Sequence, residues 1–181
     1  MFDYGMVFRS YCGKNGLELR LSHEMPPGYE TANGTFDPVT GTLYINAESL
    51  EGAEDCEKAF YLFHELRHAE QHIRPERFGE DIRRSMRYVI MFDGTCYKLS
   101  EGEYLECRLE DCAVPFTDLY LGQPYEADAN AFAYEETVKM FGESEKLRDL
   151  YEFWMPRRPV PDGTYDAVYR MIDRKTGSQE G

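Results

Sequence analysis

The most informative stretch of this sequence, for both the fold and the function, is Phe63-His64-Glu65-Leu66-Arg67-His68. It lies within a segment, about 54–73, whose apolar residues recur at the spacing of a helix rather than that of a strand. Residues four apart in a helix lie one turn apart on the same face. His64 and His68 can therefore each place one ring nitrogen about 2 Å from a single zinc ion.

Glu65 follows His64 directly and is expected to point toward the same space. It could accept a proton from a metal-bound water and pass that proton to a leaving amine. The alternative is a surface helix that carries two histidines and a glutamate by chance. Metal binding is favoured because three of the four histidines fall within nine residues and because apolar side chains anchor the helix, namely Phe60, Phe63 and Leu66.

A catalytic zinc ion usually has three protein ligands and one open position. The best candidate for the third ligand is Glu126, in the first turn of a second helix that starts near Pro124. Asn130 lies one turn further on and could accept a hydrogen bond from the outer ring N–H of a ligand histidine. His72 lies roughly 12 Å along the axis from His64 and is expected to stay outside the site. Competing acids are Glu70, Glu103, Glu106 and Glu110.

Two segments, HELRH at 64–68 and EADANAFA at 126–133, resemble the gluzincin metallopeptidases and most closely the ImmA/IrrE-type group. The resemblance covers about 1–73 and 124–142. It implies zinc bound by His64, His68 and Glu126, with Glu65 as the catalytic base. Members are intracellular, and several cleave a regulatory protein, often a repressor. The resemblance also implies that the strand at 42–46 lines the cleft and pairs with an extended substrate.

We predict an α+β, zincin-like fold, with a small antiparallel or mixed sheet packed on the HExxH helix and a second ligand-bearing helix. The expected peptidase domain spans 1–154 with an insert at about 76–123. A linker, a short helix at 164–175 and a loose tail would follow in 155–181. Further elements are a helix at 3–12, a strand at 17–22, hairpins turning at 37–41 and 93–94, and helices at 124–141 and 145–153.

The 181-residue chain has a net charge of −14, which repels nucleic acid and anionic membranes and would suit a basic substrate. We expect neither a secretory signal nor a membrane-spanning stretch, because the sequence shows no pattern typical of either. Five cysteines without CxxC spacing indicate reduced thiols and a cytoplasmic protein. Cys107 and Cys112 could contribute to a second metal site, although buried structural thiols are the favoured interpretation.

The functional hypothesis is a zinc metalloendopeptidase that acts on a protein or peptide substrate, with neither a nucleic-acid nor a membrane partner. Two alternatives stay open, an acidic interaction or DNA-mimic protein and a zinc-binding regulator without peptidase activity. A peptidase also needs a hydrogen-bond donor for the oxyanion that forms on the attacked carbonyl, and several side chains of this sequence could supply it. The candidates are Tyr88, Tyr97, Tyr104, Tyr125 and His72.

Overall fold

Helices and short strands alternate along the chain in the computed structural model, which describes residues 2–177. The predicted α+β class is confirmed. In chain order the elements are α1 (Tyr4–Asn15), β1 (Arg20–Ser22), β2 (Gly34–Asp37), β3 (Thr42–Ile45), α2 (Asp55–Ile73), α3 (Glu80–Ser85), β4 (Tyr88–Ile90), β5 (Thr95–Ser100), β6 (Glu103–Arg108), α4 (Phe116–Leu121), α5 (Pro124–Phe141), α6 (Glu145–Phe153) and α7 (Thr164–Thr176).

The chain divides into two compact units. The first comprises the chain up to Arg77 together with Ala129–Phe153, and the second comprises Phe78–Asp128 together with the chain from Trp154 onward. The expected peptidase domain of 1–154 with an insert at about 76–123 stays a prediction. The predicted tail beyond Gly177 lies outside the described residues.

The sheet of the first unit has the strand order β1-β3-β2. β3 pairs in parallel with β1 and antiparallel with β2. The predicted hairpin is therefore confirmed, but the expectation that the strand at 42–46 is an open edge is wrong. Both sides of β3 are occupied by hydrogen-bonded neighbours, so β3 cannot accept a substrate strand, and the open edges belong to β1 and β2.

Helix α2 carries the HExxH sequence and packs its apolar face against β2 and β3. Its first turn is secured by Glu57, whose side chain accepts a hydrogen bond of 2.8 Å from the backbone N–H of Glu54. Its last residue is Ile73, as expected from Pro75, because the residue before a proline avoids the helical conformation. The helix is therefore fixed at both ends and along one face.

Helix α5 is held against the first unit by Phe132. The ring of Phe132 lies 6.1 Å from the ring of Tyr11 in α1, and Tyr11 in turn lies 6.0 Å from Phe63 in α2. The guanidinium carbon of Arg67 lies 4.6 Å from the centre of the Phe132 ring. These contacts fix the course of α5 relative to α2 within the first unit.

The second unit contains an antiparallel sheet of strand order β4-β5-β6. Helix α7 packs on β5 and β6 and buries Val168, Tyr169 and Ile172. On the buried face of this helix, Asp173 forms an ion pair with Lys98 and accepts a hydrogen bond of 3.0 Å from the hydroxyl of Tyr88. The predicted helix at 164–175 is confirmed, and it contributes to a hydrophobic core.

Within residues 2–177, no helix has the length and apolar character that crossing a membrane would require.

Candidate metal centre

The side chains of His64, His68 and Glu126 converge. One ligand atom from each lies within 4.8 Å of the other two. The two Nε2 atoms of His64 and His68 are 2.9 Å apart, so both could lie about 2 Å from one ion. Within residues 2–177, no other group of three or more such side chains has this spacing. The three predicted ligands are thus brought together, and their binding of zinc stays a prediction.

Helix α2 presents the two histidines from successive turns of one face. Their ring centroids lie 4.5 Å apart and their planes are nearly perpendicular, at 88°. Both rings are half-buried, whereas Phe63 before His64 and Leu66 between the two histidines are buried in the core. The core contacts keep the helix from rotating, and the histidine face is therefore presented in a fixed orientation.

Glu126 lies in the first turn of α5 and is buried, with 8% of its surface exposed. Ala129 and Ala133 on the same helix are fully buried, so their small side chains allow close packing. Tyr125 forms a side-chain hydrogen bond with Glu126. Burial, and after it the charge of Glu126, raises the pKa of the Tyr125 hydroxyl well above its usual value. The hydroxyl therefore stays protonated and donates a hydrogen bond to the Glu126 carboxylate.

Gln71 is a site residue that sequence reasoning missed. Its side chain is fully buried, and its Oε1 lies 2.9 Å from Nδ1 of His68. Because an amide oxygen only accepts, Nδ1 must carry the proton, and the lone pair on Nε2 is directed toward the other two ligands. The signal was present in the sequence, since residues three apart on a helix share a face.

Asn130, the residue predicted to orient a ligand histidine, is buried one turn after Glu126. At Nδ1 of His68 the partner is Gln71 rather than Asn130. The acceptor at His68 therefore comes from the same helix as the histidine itself. A role for Asn130 at His64 stays a prediction.

Glu65 is buried, with 6% of its surface exposed, and lies against Gly34 of β2. A Cβ atom at position 34 would lie 2.7 Å from Cγ of Glu65 and 2.9 Å from its Oε1. The predicted base therefore rests directly on an edge strand of the sheet. This contact involves β2, and not the strand at 42–46 that was expected to line the site.

The edge strand β2 directs backbone groups away from the sheet at Gly34 and Phe36. The backbone N–H of Asn46 donates to the carbonyl of Asn33, and Gly34 is the register partner of Ile45. In an antiparallel pair, hydrogen-bonded and non-hydrogen-bonded positions alternate. The N–H and C=O groups of Gly34 and Phe36 therefore point outward, beside Glu65.

The remaining histidine and acid candidates lie elsewhere. His72 lies outside the convergent group, as expected, and its ring centroid lies 5.9 Å from that of Phe36. Glu70 pairs with Arg67 at 3.1 Å. Glu103 and Glu106 lie on the exposed strand β6, and Glu110 follows it. None of these residues belongs to the convergent group found among residues 2–177.

Two further predictions concern tyrosines and cysteines. Tyr88 is committed to the core of the second unit by its hydrogen bond to Asp173, which removes it as an oxyanion donor. Cys107 and Cys112 pack against the core beside Cys96 rather than in a metal-binding group of the described chain. Burial raises the pKa of Cys96 to about 12, so this thiol is protonated at neutral pH. The favoured interpretation of structural thiols fits this arrangement.

No family model, curated protein or solved structure matches this chain. Function is therefore inferred from the side chains and their geometry.

Proposed function

We propose that this protein is a zinc-dependent endopeptidase of the zincin type, with His64, His68 and Glu126 as metal ligands and Glu65 as the general base. The observation that carries the proposal is that the Nε2 atoms of His64 and His68 converge with the carboxylate of Glu126. The helix that bears the two histidines, α2, also bears the buried Glu65. The resemblance of 64–68 and 126–133 to gluzincin peptidases supports the same assignment.

The chemistry of the donor set favours zinc over calcium and magnesium. Two imidazole nitrogens and one carboxylate are the ligands of many catalytic zinc sites, whereas calcium and magnesium prefer oxygen ligands only. Structural zinc sites are usually closed by four protein ligands. When bound, zinc would polarise a substrate carbonyl and lower the pKa of a water ligand to about 7.

The protein's own groups would then transfer the proton, orient a ligand histidine and bind the substrate. Glu65 would accept a proton during attack on the peptide bond and deliver it to the leaving amine. Gln71 would hold His68 with Nε2 directed at the site. The outward backbone groups of Gly34 and Phe36 would pair with an extended substrate segment, in the manner of strand addition. A substrate segment paired with these backbone groups would pass beside the Glu65 carboxylate.

The substrate proposed is a cytoplasmic protein or a peptide, and its surface is expected to be basic. The net charge of −14 favours encounter with a positively charged partner through long-range attraction. A regulatory protein as substrate is implied only by the resemblance.

Glu65→Gln tests the reaction. The variant should bind zinc as the wild type does, because Glu65 is not a ligand, while peptide cleavage falls by about 10²–10⁴-fold. Cleavage would be followed by mass spectrometry on a mixture of extended peptides, including lysine- and arginine-rich ones. Glu76→Gln is the matched control, since Glu76 is exposed and should leave cleavage unchanged.

Undiminished cleavage by Glu65→Gln would contradict the mechanism. A wild-type protein that binds zinc but cleaves no peptide in the mixture would favour the zinc-binding regulator. A protein that captures basic partners without binding zinc would favour the acidic interaction or DNA-mimic protein.

A further inference from the structure

We propose that Gly34 is a positioning residue for Glu65: the missing side chain at position 34 creates the space in which the carboxylate rests against edge strand β2. The inference rests on the proposed role of Glu65 as the general base. It concerns a residue of the sheet that belongs to no metal-binding motif.

The distances show that a side chain at position 34 and the present conformation of Glu65 exclude each other. A Cβ atom there would lie 2.7 Å from Cγ, 2.9 Å from Oε1 and 3.1 Å from Cδ of Glu65. The Cγ atom is fixed by the helix backbone and by χ1 alone, so a small adjustment of the carboxylate cannot relieve the overlap. Glu65 would have to adopt another rotamer, or β2 would have to move away from α2.

Separation of the strand from the helix is opposed two residues further along. Phe36 lies on the same face of β2 as Gly34, because side chains alternate along a strand. Its ring packs against His72 of α2 at a centroid distance of 5.9 Å. Moving the strand away at Gly34 would weaken this contact, so we expect the rotamer of Glu65 to change instead.

The backbone conformation does not itself require glycine at this position. Gly34 is not among the residues with positive φ, and it continues the regular register of β2 with β3. Gly34 is the first residue of β2, and glycine in a strand often marks a close approach by another group. The close approach here is that of Glu65, and packing against this residue accounts for glycine at position 34.

The arrangement has a consequence for catalysis. Gly34 directs its own N–H and C=O outward at the strand edge, so the base and the backbone groups proposed to pair with the substrate lie side by side. A displacement of about 1 Å in a reacting group can cost on the order of 100-fold in rate. A rotamer change at Glu65 would exceed such a displacement.

The first test is a double-mutant cycle on stability, which needs neither substrate nor metal. Gly34→Ala should lower the thermal midpoint by about 3–10 °C, the range expected for overpacking in a chain of this size. In the Glu65→Ala background the same change should lower it by less than about 1 °C, because the overlapping atoms are gone. Gly52→Ala is the matched control, since no heavy atom lies within 4 Å of its Cβ position and its φ is not positive.

The second readout is catalytic. On a peptide cleaved by the wild type, Gly34→Ala should lower kcat by about 10–100-fold, while KM and zinc per chain stay within twofold of the wild type. A purely structural role would reduce the zinc content and the folded fraction instead.

Equal losses of stability from Gly34→Ala in both backgrounds, or an unchanged kcat, would overturn the inference. If Gly34→Ala does not fold, folding of the double variant Gly34→Ala/Glu65→Ala supports the inference, and its failure to fold contradicts it. Full activity of Glu65→Gln would refute the proposed base, and the double-mutant cycle would still decide whether Gly34 positions this side chain.

Discussion

Gln71 fixes the orientation of the His68 ring through one buried hydrogen bond. The acceptor Oε1 of Gln71 leaves Nδ1 protonated and Nε2 available to a metal. Because the Gln71 side chain is fully buried, water cannot replace it as the acceptor without opening the core. The residue would therefore act on a bound metal through His68, and its effect should appear in metal affinity rather than in proton transfer.

We predict that Gln71→Leu lowers zinc affinity by about 10–100-fold, the usual cost of losing an outer hydrogen bond to a ligand histidine. Competition with a chromophoric chelator at neutral pH measures this affinity. Gln71→Glu is the control, because it keeps an oxygen acceptor for Nδ1–H and should retain most of the affinity. An unchanged affinity in Gln71→Leu would mean that the ring of His68 is oriented by other contacts.

The local part of the site was accessible to sequence reasoning. His64, Glu65 and His68 share one helical segment, so their spacing alone defines their relative positions. Glu126 is separated from them by many residues, and the pattern that surrounds it, with small alanines and Asn130, singled it out. Gln71 was overlooked although it obeys the same spacing rule, because a buried amide has no distinctive pattern in sequence.

Among the elements, β2 and β3 were predicted as a hairpin, but their positions within the sheet were not. The turn residues at 37–41 predict the hairpin, since such signals are local. The hairpin does not reveal which of its strands a third strand will join. β1 pairs with β3 through contacts between distant residues, and this pairing leaves β2 as the edge beside Glu65.

Sequence reasoning missed strand β6, and the physical reason differs from that for β2 and β3. Its residues are exposed or half-buried, and the alternation of apolar and polar side chains that indicates a strand is limited to the four residues 105–108 of an acidic segment. The strand is set instead by a two-residue turn at Glu101 and Gly102, whose φ angles of 53° and 87° are typical of a type I′ hairpin. The segment 101–111 is strongly acidic, and the turn within it was not recognised from the sequence.

The first turn of α2 depends on Glu57. Its carboxylate accepts the backbone N–H of Glu54 and lies 2.9 Å from Nζ of Lys146 in α6. Partial burial opposes ionisation, but the hydrogen bonds from Lys146 and Glu54 prevail and lower the pKa of Glu57. We predict that Glu57→Ala costs about 1 kcal/mol of unfolding free energy at neutral pH.

The pH dependence of this effect has a definite sign. A lowered folded-state pKa contributes stability above the unfolded value of about 4.3 and loses it as the pH falls through the folded-state value. Urea unfolding at pH 7 and at about pH 3 should therefore show a larger difference between wild type and Glu57→Ala at pH 7. Glu48→Ala, at an exposed residue outside the helix, is the control. A difference that grows on acidification would contradict this account.

At the scale of the whole chain, the second unit has a hydrophobic core of its own, which includes Tyr88, Ile90 and Ile172. The turn at 93–94 predicts the hairpin that carries Tyr88 and Ile90, but no local pattern shows which helix covers it. α7 comes from a stretch that follows three prolines, and its prediction as a short appended helix missed its burial. Its packing on β5 and β6 is tertiary and has no counterpart in local spacing.

The ion pair of Lys98 and Asp173 tests that α7 is an integral part of its unit. Both side chains are buried, and Asp173 also accepts the hydroxyl of Tyr88. Asp173→Ala leaves the Lys98 ammonium buried without its counter-charge, and we expect a loss of about 3–5 kcal/mol. Thermal and urea unfolding measure the loss, and Asp162→Ala at an exposed position should be neutral. A loss below 1 kcal/mol would show that α7 contributes little to the core.

The most direct test of the metal centre is zinc per chain, measured by elemental mass spectrometry on the purified wild type, His64→Ala, Glu126→Ala and His72→Ala after incubation with zinc at neutral pH. The proposed centre predicts close to one zinc ion per wild-type chain, loss of zinc in His64→Ala, weakened binding in Glu126→Ala and no change in His72→Ala. A wild-type protein without zinc, or full retention of zinc in His64→Ala, would contradict it.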